Sequence, residues 1–342
     1  MKNNHVNKLF FSMTYEFLEV YMPQQAGMSP QTIRSYRDAL TVFRRYLYEQ
    51  RGISVSKFLA TDCTKECLLD FVEYLKTQGC RPGTCNQRIA AIKSYIWFAA
   101  DKDIALEPIA MRISKMPPCK GRKTEREMLS DEALAAILRQ PPNTKLGLRD
   151  RTIMTLLYDS AIRVSELLGL KLGDINVISK EPYIRVLGKR NQERLVGISG
   201  KTVDHLKNYM SVYHPAPEKG RFLFYTTIKG VSGSMSAGNV ERFIQQYADE
   251  VRDLDVNIPE RVYPHMFRRT RATNLYQDGI ELELVSKVLG HQATETTKIY
   301  AKPSLSQMRG ALESVEVPGK KEETPLWNAN SEDEMARLFG LR

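Results

Sequence analysis

The stretch "YIRVLGKRNQERLVGIS", residues 183–199, decides the fold class, because its pattern repeats every two residues in a chain that otherwise repeats every three or four. The alternate positions hold Tyr183, Arg185 and Leu187, and then Arg194, Val196 and Ile198. Two alternating runs on either side of a turn-forming tetrapeptide are typical of a β-hairpin. We therefore predict a small antiparallel sheet with a turn near residues 188–191.

Apolar residues on both sides of this hairpin recur at helical spacing. The helical stretches around it are "SDEALAAILRQ" with Ser130 as its cap, "RDRTIMTLLYDSAIRVSELLGL" as one helix, "GNVERFIQQYADEV", "PHMFRRTRATNLYQDG" and "LELVSKVLGH". Upstream, "SPQTIRSYRDALTVFRRYLYEQRG" predicts a helix that Ser29 caps, Pro30 begins and Gly52 ends. A second upstream helix is predicted over "TCNQRIAAIKSYIWFAA". The fold is expected to be mainly α, with α+β character in its second half.

The length of 342 residues suits about two domains. The stretch "SKMPPCKGRK" combines a Pro-Pro step, a glycine and positive charge, as linkers do. We predict an N-terminal helical domain over 1–111, a basic linker over 112–127, a second domain over 128–312 and a tail over 313–342. Within the tail, "NSEDEMARLFGLR" predicts a short amphipathic helix that needs a groove to bind. Its apolar residues are Met335, Leu338 and Phe339.

The net charge of +10 and the pI near 9.2 favour a polyanionic partner, with nucleic acid ahead of an acidic membrane surface. The longest apolar runs are short, so no membrane span is predicted. The N-terminus lacks the apolar core of a secretion signal, and the five cysteines form an odd set. Both features favour a reduced, cytoplasmic protein. "CTKEC" and "CRPGTC" could suggest zinc, but their spacings favour buried thiols, and neither a metal nor a cofactor is predicted.

Cations on the two upstream helices and in the linker are candidates for contacts with DNA phosphates. They are Arg34, Arg37, Arg44, Arg45, Arg88, Lys93, Lys120, Arg122 and Lys123. The four arginines on the first helix lie off its apolar face, and Arg88 and Lys93 are expected to point outward on the second. A solvated charged face is the alternative for any one helix. Because two helices and a linker share the same bias, we favour phosphate contacts.

Four short motifs follow one another in the second half of the chain. They are "RVSELLGL" from Arg163, "GKRNQER" in the hairpin, "HMFRRTRATNLYQDG" from His265 and "LGHQATETTKIY" ending at Tyr300. In this order and at these spacings they resemble the signature of the tyrosine recombinases, the lambda-integrase and Xer-like family. The resemblance covers roughly residues 125–305 in detail and the N-terminal part in outline.

This resemblance implies an N-terminal SAM-like, core-binding DNA domain and a catalytic domain with the tyrosine-recombinase fold. It implies a site-specific recombinase that cleaves and rejoins duplex DNA through a 3′-phosphotyrosyl intermediate without metal or ATP. Integration or transposition of a mobile element is our first expectation, in bacterial nucleoid DNA, and Xer-like resolution of chromosome or plasmid dimers is the second. It also implies a tetramer on paired sites, joined through the tail helix. The remaining alternative is a non-catalytic helix-turn-helix regulator.

The resemblance also assigns roles to single residues. Arg163 and Arg268 clamp the scissile phosphate, Tyr300 attacks it, Lys189 protonates the leaving 5′-oxygen, His265 takes the tyrosine proton, His291 binds a non-bridging oxygen, and Glu166 holds Arg163 and the nearby histidine in place. Phosphoryl transfer concentrates negative charge on the non-bridging oxygens, and guanidinium forks match phosphate geometry. Gln192, Arg269 and the "VG" at 196–197 depart from the family pattern, but none of them removes a catalytic group.

Overall fold

The computed structural model describes residues 8–121, 127–188, 192–252, 257–290 and 297. The chain divides into two compact units, Met1–Glu125 and Arg126–Arg342. Among the described residues, no helix is both long and apolar enough to cross a membrane.

The first unit is mainly helical in its described part, with one isolated antiparallel bridge between Leu9 and Leu59. A π-helical segment, Glu16–Gln25, precedes four α-helices. These are α1 (Pro30–Arg51), α2 (Lys65–Thr77), α3 (Pro82–Lys102) and α4 (Glu107–Ser114). Buried aromatic rings fill the space between the helices, and Phe43 packs edge-to-face on Phe71 with ring centroids 5.0 Å apart.

The predicted ends of α1 are confirmed. The Ser29 side chain accepts the Thr32 backbone N–H at 3.2 Å, and Pro30 is the first helical residue. Gly52 ends the helix with φ +65°, a left-handed conformation that glycine adopts without steric cost. Local chemistry at both ends therefore fixes the limits of this helix.

The expected linker begins three residues too early. Residues 112–114 belong to α4 and not to a linker. Ile113 is buried in the core of the first unit, which explains why the helix continues past Arg112. The Pro-Pro step at 117–118 comes after the helix has ended, and the division between the two units falls at residues 125 and 126.

The second unit surrounds a small sheet with helices. Its helices are α5 (Asp131–Arg139), α6 (Lys145–Ser160), α7 (Val164–Gly169), α8 (Gly200–Tyr213), α9 (Ala237–Arg252), α10 (Pro264–Gln277) and α11 (Leu282–Leu289). Strands β1 (Ile175–Asn176), β2 (Tyr183–Leu187) and β3 (Glu193–Gly197) form an antiparallel sheet, and β4 (Tyr225–Ile228) pairs with β5 (Val231–Ser234). A mainly helical chain with small antiparallel sheets is confirmed.

The hairpin predicted over 183–199 is present as β2 and β3. Tyr183 lies opposite Gly197, and Leu187 lies opposite Glu193. Ile184 and Val186 are buried on the inner face of β2, as Val196 is on that of β3, because side chains alternate along a strand.

The stretch "RDRTIMTLLYDSAIRVSELLGL" is not one helix, so that expectation is wrong. Helix α6 ends at Ser160, and Ala161 takes a left-handed conformation with φ +50°. An L-residue pays roughly 1–2 kcal/mol for this conformation. Helix α7 then begins at Val164, so Arg163 precedes a helix and does not lie within one.

Candidate active site

The start of α7 holds Arg163 and Glu166 together. Arg163 has an extended backbone, with φ −73° and ψ 148°, and Glu166 is the third residue of the helix. The Glu166 carboxylate accepts the Arg163 backbone N–H at 2.9 Å and its guanidinium Nη1 at 2.8 Å. One carboxylate thereby fixes both backbone and side chain of Arg163. The Arg163 side chain is still 34% exposed, enough to meet a ligand.

Arg194 approaches the same carboxylate from strand β3. Its Nη1 and Nη2 donate to the two oxygens of Glu166 at 3.2 and 2.9 Å. The side chains of Glu166 and Arg194 are only 6% and 17% exposed. Two cations therefore share one buried anion, which leaves the group of three with one net positive charge.

The two arginines keep Glu166 ionised. Burial alone would raise the pKa of its carboxyl, because an apolar environment disfavours charge. The hydrogen bonds from Arg194 and from the Arg163 backbone outweigh that effect, so the pKa of Glu166 lies below its ordinary value. At neutral pH Glu166 thus acts as a charged anchor and not as a proton donor.

Arg268 joins the ends of two helices. Its side chain is buried, with 1% of the residue exposed. Its Nη1 donates to the carbonyl of Ala161 at 2.6 Å, and its Nη2 donates to the carbonyl of Leu289 at 2.7 Å. Both carbonyls lie at helix C-termini, where backbone acceptors lack helical partners and the helix dipole favours a cation.

His265 lies at the start of the helix that carries Arg268. It is the second residue of α10, after Pro264, and it is exposed. Arg268 follows three positions later, which places the two side chains on adjacent turns of one helix face. The exposed imidazole and the buried guanidinium therefore occupy different depths of the same face.

Several of the predicted residues lie outside the described part of the chain. They are Lys189, His291, Tyr300, Arg122, Lys123, Met335, Leu338 and Phe339. Gly290 is described and directly precedes His291 in the sequence.

The predicted DNA contacts on α1 have the exposure that such contacts need. Arg34, Arg37, Arg44 and Arg45 are all exposed. Arg37 is also paired with Glu19, with Nη2 and Oε1 2.5 Å apart. A phosphate would have to displace or share this partner.

Lys93 does not point outward as expected. Its Nζ donates to the carbonyls of Ser114 and Met116 at 3.3 and 3.0 Å. Burial lowers the pKa of its amine. The reason is that α4 ends beside α3 and leaves backbone carbonyls that Lys93 satisfies. Arg88 is half-buried and donates to Cys80 Sγ at 3.1 Å, whereas Lys120 is exposed.

The cysteines of the first unit are thiols. Cys63, Cys67 and Cys85 are buried, while Cys80 and Cys119 are half-buried. Burial raises the pKa of Cys63 well above its usual value. Within the described ranges no three His, Cys, Asp or Glu side chains group as metal ligands do.

Guanidinium groups from three separate parts of the chain meet around the break between α6 and α7. Arg268 bonds to Ala161, two residues before Arg163, and Arg194 packs against Gly290. Such groups stay charged at all physiological pH values and form paired hydrogen bonds with phosphate oxygens. The arrangement suits a phosphate-like anion at the exposed guanidinium of Arg163.

Comparison with protein-family models gives two matches. The phage integrase family model matches residues 126–306, and the model of the phage integrase N-terminal SAM-like domain matches residues 16–103. Together these ranges include most of both compact units.

Curated relatives and solved structures agree with the family models. A protein described as tyrosine recombinase XerD of Staphylococcus saprophyticus is 31% identical over 296 residues, which cover 86% of this chain and 95% of the relative. The XerH site-specific recombinase bound to difH substrate shares the fold with a TM-score of 0.62 and 22% identity, covering 86% of this chain and 83% of that one. The structure of the Tn1549 transposon integrase in complex with a circular intermediate DNA has a TM-score of 0.70 and 14% sequence identity. The match covers 90% of this chain and 98% of that one.

Proposed function

Since the chain belongs to the phage integrase family and is a tyrosine recombinase, an enzyme that cleaves and religates DNA, we propose that it recombines specific duplex sites through Tyr300. The partner is double-stranded DNA, bound in the cytoplasm. The basic net charge of +10 supports this partner through long-range attraction.

The proposed reaction needs no external energy source. The phenolic oxygen of Tyr300 attacks the scissile phosphorus, the bond to the 5′-oxygen breaks, and a 3′-phosphotyrosyl ester forms. His265 takes the phenolic proton, and Lys189 protonates the departing 5′-oxygen. Attack by a 5′-hydroxyl of a partner strand reverses these steps and releases Tyr300. Each step exchanges one phosphodiester for another, so no ATP enters the balance. Arg163 and Arg268 would take the role that metal ions have in many phosphoryl-transfer enzymes.

The observation that carries this proposal is the organised group around Arg163. Glu166 holds its backbone and its side chain, and the Arg163 side chain remains 34% exposed. Arg268 donates a hydrogen bond to the carbonyl of Ala161, which precedes Arg163 by two residues in the chain. Preorganised cations of this kind stabilise the negative charge of a phosphoryl-transfer transition state. His291 would add a hydrogen bond to a non-bridging oxygen.

A suicide substrate tests the chemistry directly. The protein is incubated with DNA that is nicked beside a candidate cleavage position, so that a cleaved strand is lost and the covalent adduct accumulates. The wild type should form a DNA adduct that survives denaturing electrophoresis, and Tyr300→Phe should not. Tyr48→Phe is a matched control, because it removes a hydroxyl from a tyrosine that is 69% exposed in the other unit. An adduct that persists in Tyr300→Phe would refute the nucleophile, and specific binding without any adduct would support the regulator alternative.

For the biological role we propose integration or transposition of a mobile element. Xer-like dimer resolution is the second candidate, which the 31% identity to a XerD protein favours. Suicide substrates that carry the ends of an adjacent mobile element are compared with substrates that carry the host chromosomal resolution site. Faster adduct formation on the element ends supports integration, and faster formation on the chromosomal site supports resolution.

We propose that the tail helix joins protomers into a tetramer on paired sites. Its residues Met335, Leu338 and Phe339 would fill an apolar groove of a neighbouring subunit. A chain that ends at residue 312 should still form adducts on a single site but should fail to pair two sites in a native gel. A truncated chain that pairs sites as well as the wild type does would contradict this role.

A further inference from the structure

Arg194 has no role in the mechanism above, although it is tied to Glu166 as firmly as Arg163 is. It makes two hydrogen bonds to the Glu166 carboxylate, whereas the Arg163 side chain makes one. It lies on the inner face of β3, and its side chain is 17% exposed. An arginine on the buried face of a strand costs desolvation, which the buried carboxylate offsets.

Arg194 also contacts the end of α11. A Cβ placed on Gly290 would lie 2.6 Å from the Arg194 Cζ and 2.7 Å from its Nε. Glycine is favoured at position 290 for two reasons, its φ of +63° and the close approach of this guanidinium. The side chain therefore links β3, α7 and the residue that precedes His291.

We propose that Arg194 is a positioning residue that offsets the charge of Glu166, so that Arg163 remains a net cation toward the scissile phosphate. Among the described residues, Glu166 without Arg194 would have Arg163 as its one side-chain cation, and this pair is neutral as a whole. The full negative charge of the carboxylate would then offset that of the Arg163 guanidinium and weaken its attraction for phosphate. This inference rests on the proposed function, because it concerns the same phosphate.

The contact with Gly290 gives Arg194 a second effect. The guanidinium lies against Gly290, so the position of Gly290 and that of the Arg163–Glu166 pair are coupled. Partners that orient metal ligands change activity by about 10- to 100-fold when they are mutated, and we expect an effect of the same order for Arg194.

Charge variants of Arg194 test the inference through the single-turnover rate of adduct formation at saturating protein. Arg194→Gln keeps a polar side chain but removes the charge, and it should slow the rate by about 10- to 100-fold. Arg194→Lys restores the charge and should recover most of the rate. The double variant Arg194→Gln with Glu166→Gln removes both charges and should react faster than Arg194→Gln alone. Because neutralising both partners would also relieve a purely structural ion pair, the rates are compared under conditions in which thermal unfolding shows every variant to be folded.

Each alternative result has a defined meaning. An unchanged rate in Arg194→Gln, a lysine variant as slow as the glutamine variant, or a double variant no faster than Arg194→Gln would overturn the inference. Thermal unfolding of each variant shows whether it is folded. If Arg194→Gln does not fold, Gly290→Ala provides an independent perturbation, because it retains every charge and forces the guanidinium away. A wild-type rate in Gly290→Ala would then overturn the inference.

Failure of the proposed function would look different. In that case the wild type itself would form no Tyr300-dependent adduct, and both proposals would fall. If the wild type forms the adduct, Tyr300→Phe does not, and Arg194→Gln reacts at the wild-type rate, only the role of Arg194 is refuted.

Discussion

Replacing Arg268 with lysine tests whether this side chain holds the ends of α6 and α11 together. Arginine spans two carbonyls at once, those of Ala161 and Leu289, at 2.6 and 2.7 Å. Lysine keeps the positive charge, and with it the attraction to both helix C-termini. Its ammonium is a single point of contact, however, and cannot reproduce the planar fork.

The structure sets the size of the effect. In Arg268→Lys, one of the two carbonyls should keep a charge-assisted hydrogen bond and the other should lose its bond. The lost bond is buried, because only 1% of Arg268 is exposed. A buried acceptor without its partner costs about 1–3 kcal/mol. For a unit of this size, about 2 kcal/mol corresponds to a fall in melting temperature of roughly 4–8 °C.

Thermal and urea unfolding of the DNA-free protein measure this loss without reference to catalysis. Arg271→Lys is the matched control, one turn further along α10. The Arg271 Nη2 lies 3.8 Å from Asp159 Oδ1, and 28% of the Arg271 side chain is exposed. Arg271→Lys should therefore lower the free energy of unfolding by less than about 1 kcal/mol. If Arg268→Lys melts at the wild-type temperature, or no lower than Arg271→Lys, the buried bridge between the two helix ends does not stabilise the protein and the reasoning fails.

Three further predictions concern other parts of the chain. Ser29→Ala should lower the free energy of unfolding of the first unit by about 1 kcal/mol, because it removes the acceptor for the Thr32 N–H. Urea unfolding measures this change, and Ser29→Asp should restore the stability. Phe71→Ala, at a fully buried position, should cost about 3–5 kcal/mol, and an unchanged urea midpoint would contradict the packing. Because the folded pKa of Glu166 lies below its unfolded value, its contribution is present above about pH 4.3 and is lost as pH falls through the folded pKa. Glu166→Gln should therefore show a shallower loss of stability on acidification below that pH than the wild type, in urea unfolding at pH 3–7.

Features set by neighbouring residues could be predicted from the sequence. The hairpin followed from a period of two, and the ends of α1 followed from Ser29, Pro30 and Gly52. Each of these signals depends on chemistry within a few residues, such as side-chain alternation or a left-handed glycine. The motif order likewise identified the family, since it needs only the sequence.

The break between α6 and α7 could not be predicted because its cause is remote in sequence. "YDSAIRVSEL" contains neither glycine nor proline, and its apolar spacing continues the helical pattern. The left-handed Ala161 is stabilised by Arg268, which donates to its carbonyl from 107 residues further along the chain. Helix propensity depends only on neighbouring residues and does not include that contact. It therefore favoured a continuous helix. The same limit applies to Lys93, whose partners come from the end of α4.

The alternating pattern of β3 also held information about the burial of Arg194, which the sequence analysis did not use. It shares alternate positions with Val196 and Ile198, which are buried, so the pattern already placed a cation on the inner face of the strand. A buried cation requires a buried anion, and Glu166 is a carboxylate next to an apolar helical stretch. The pairing could therefore have been suspected from the sequence. The net positive charge left to Arg163 could not have been predicted from the sequence. It depends on both arginines reaching one carboxylate from different elements of the fold.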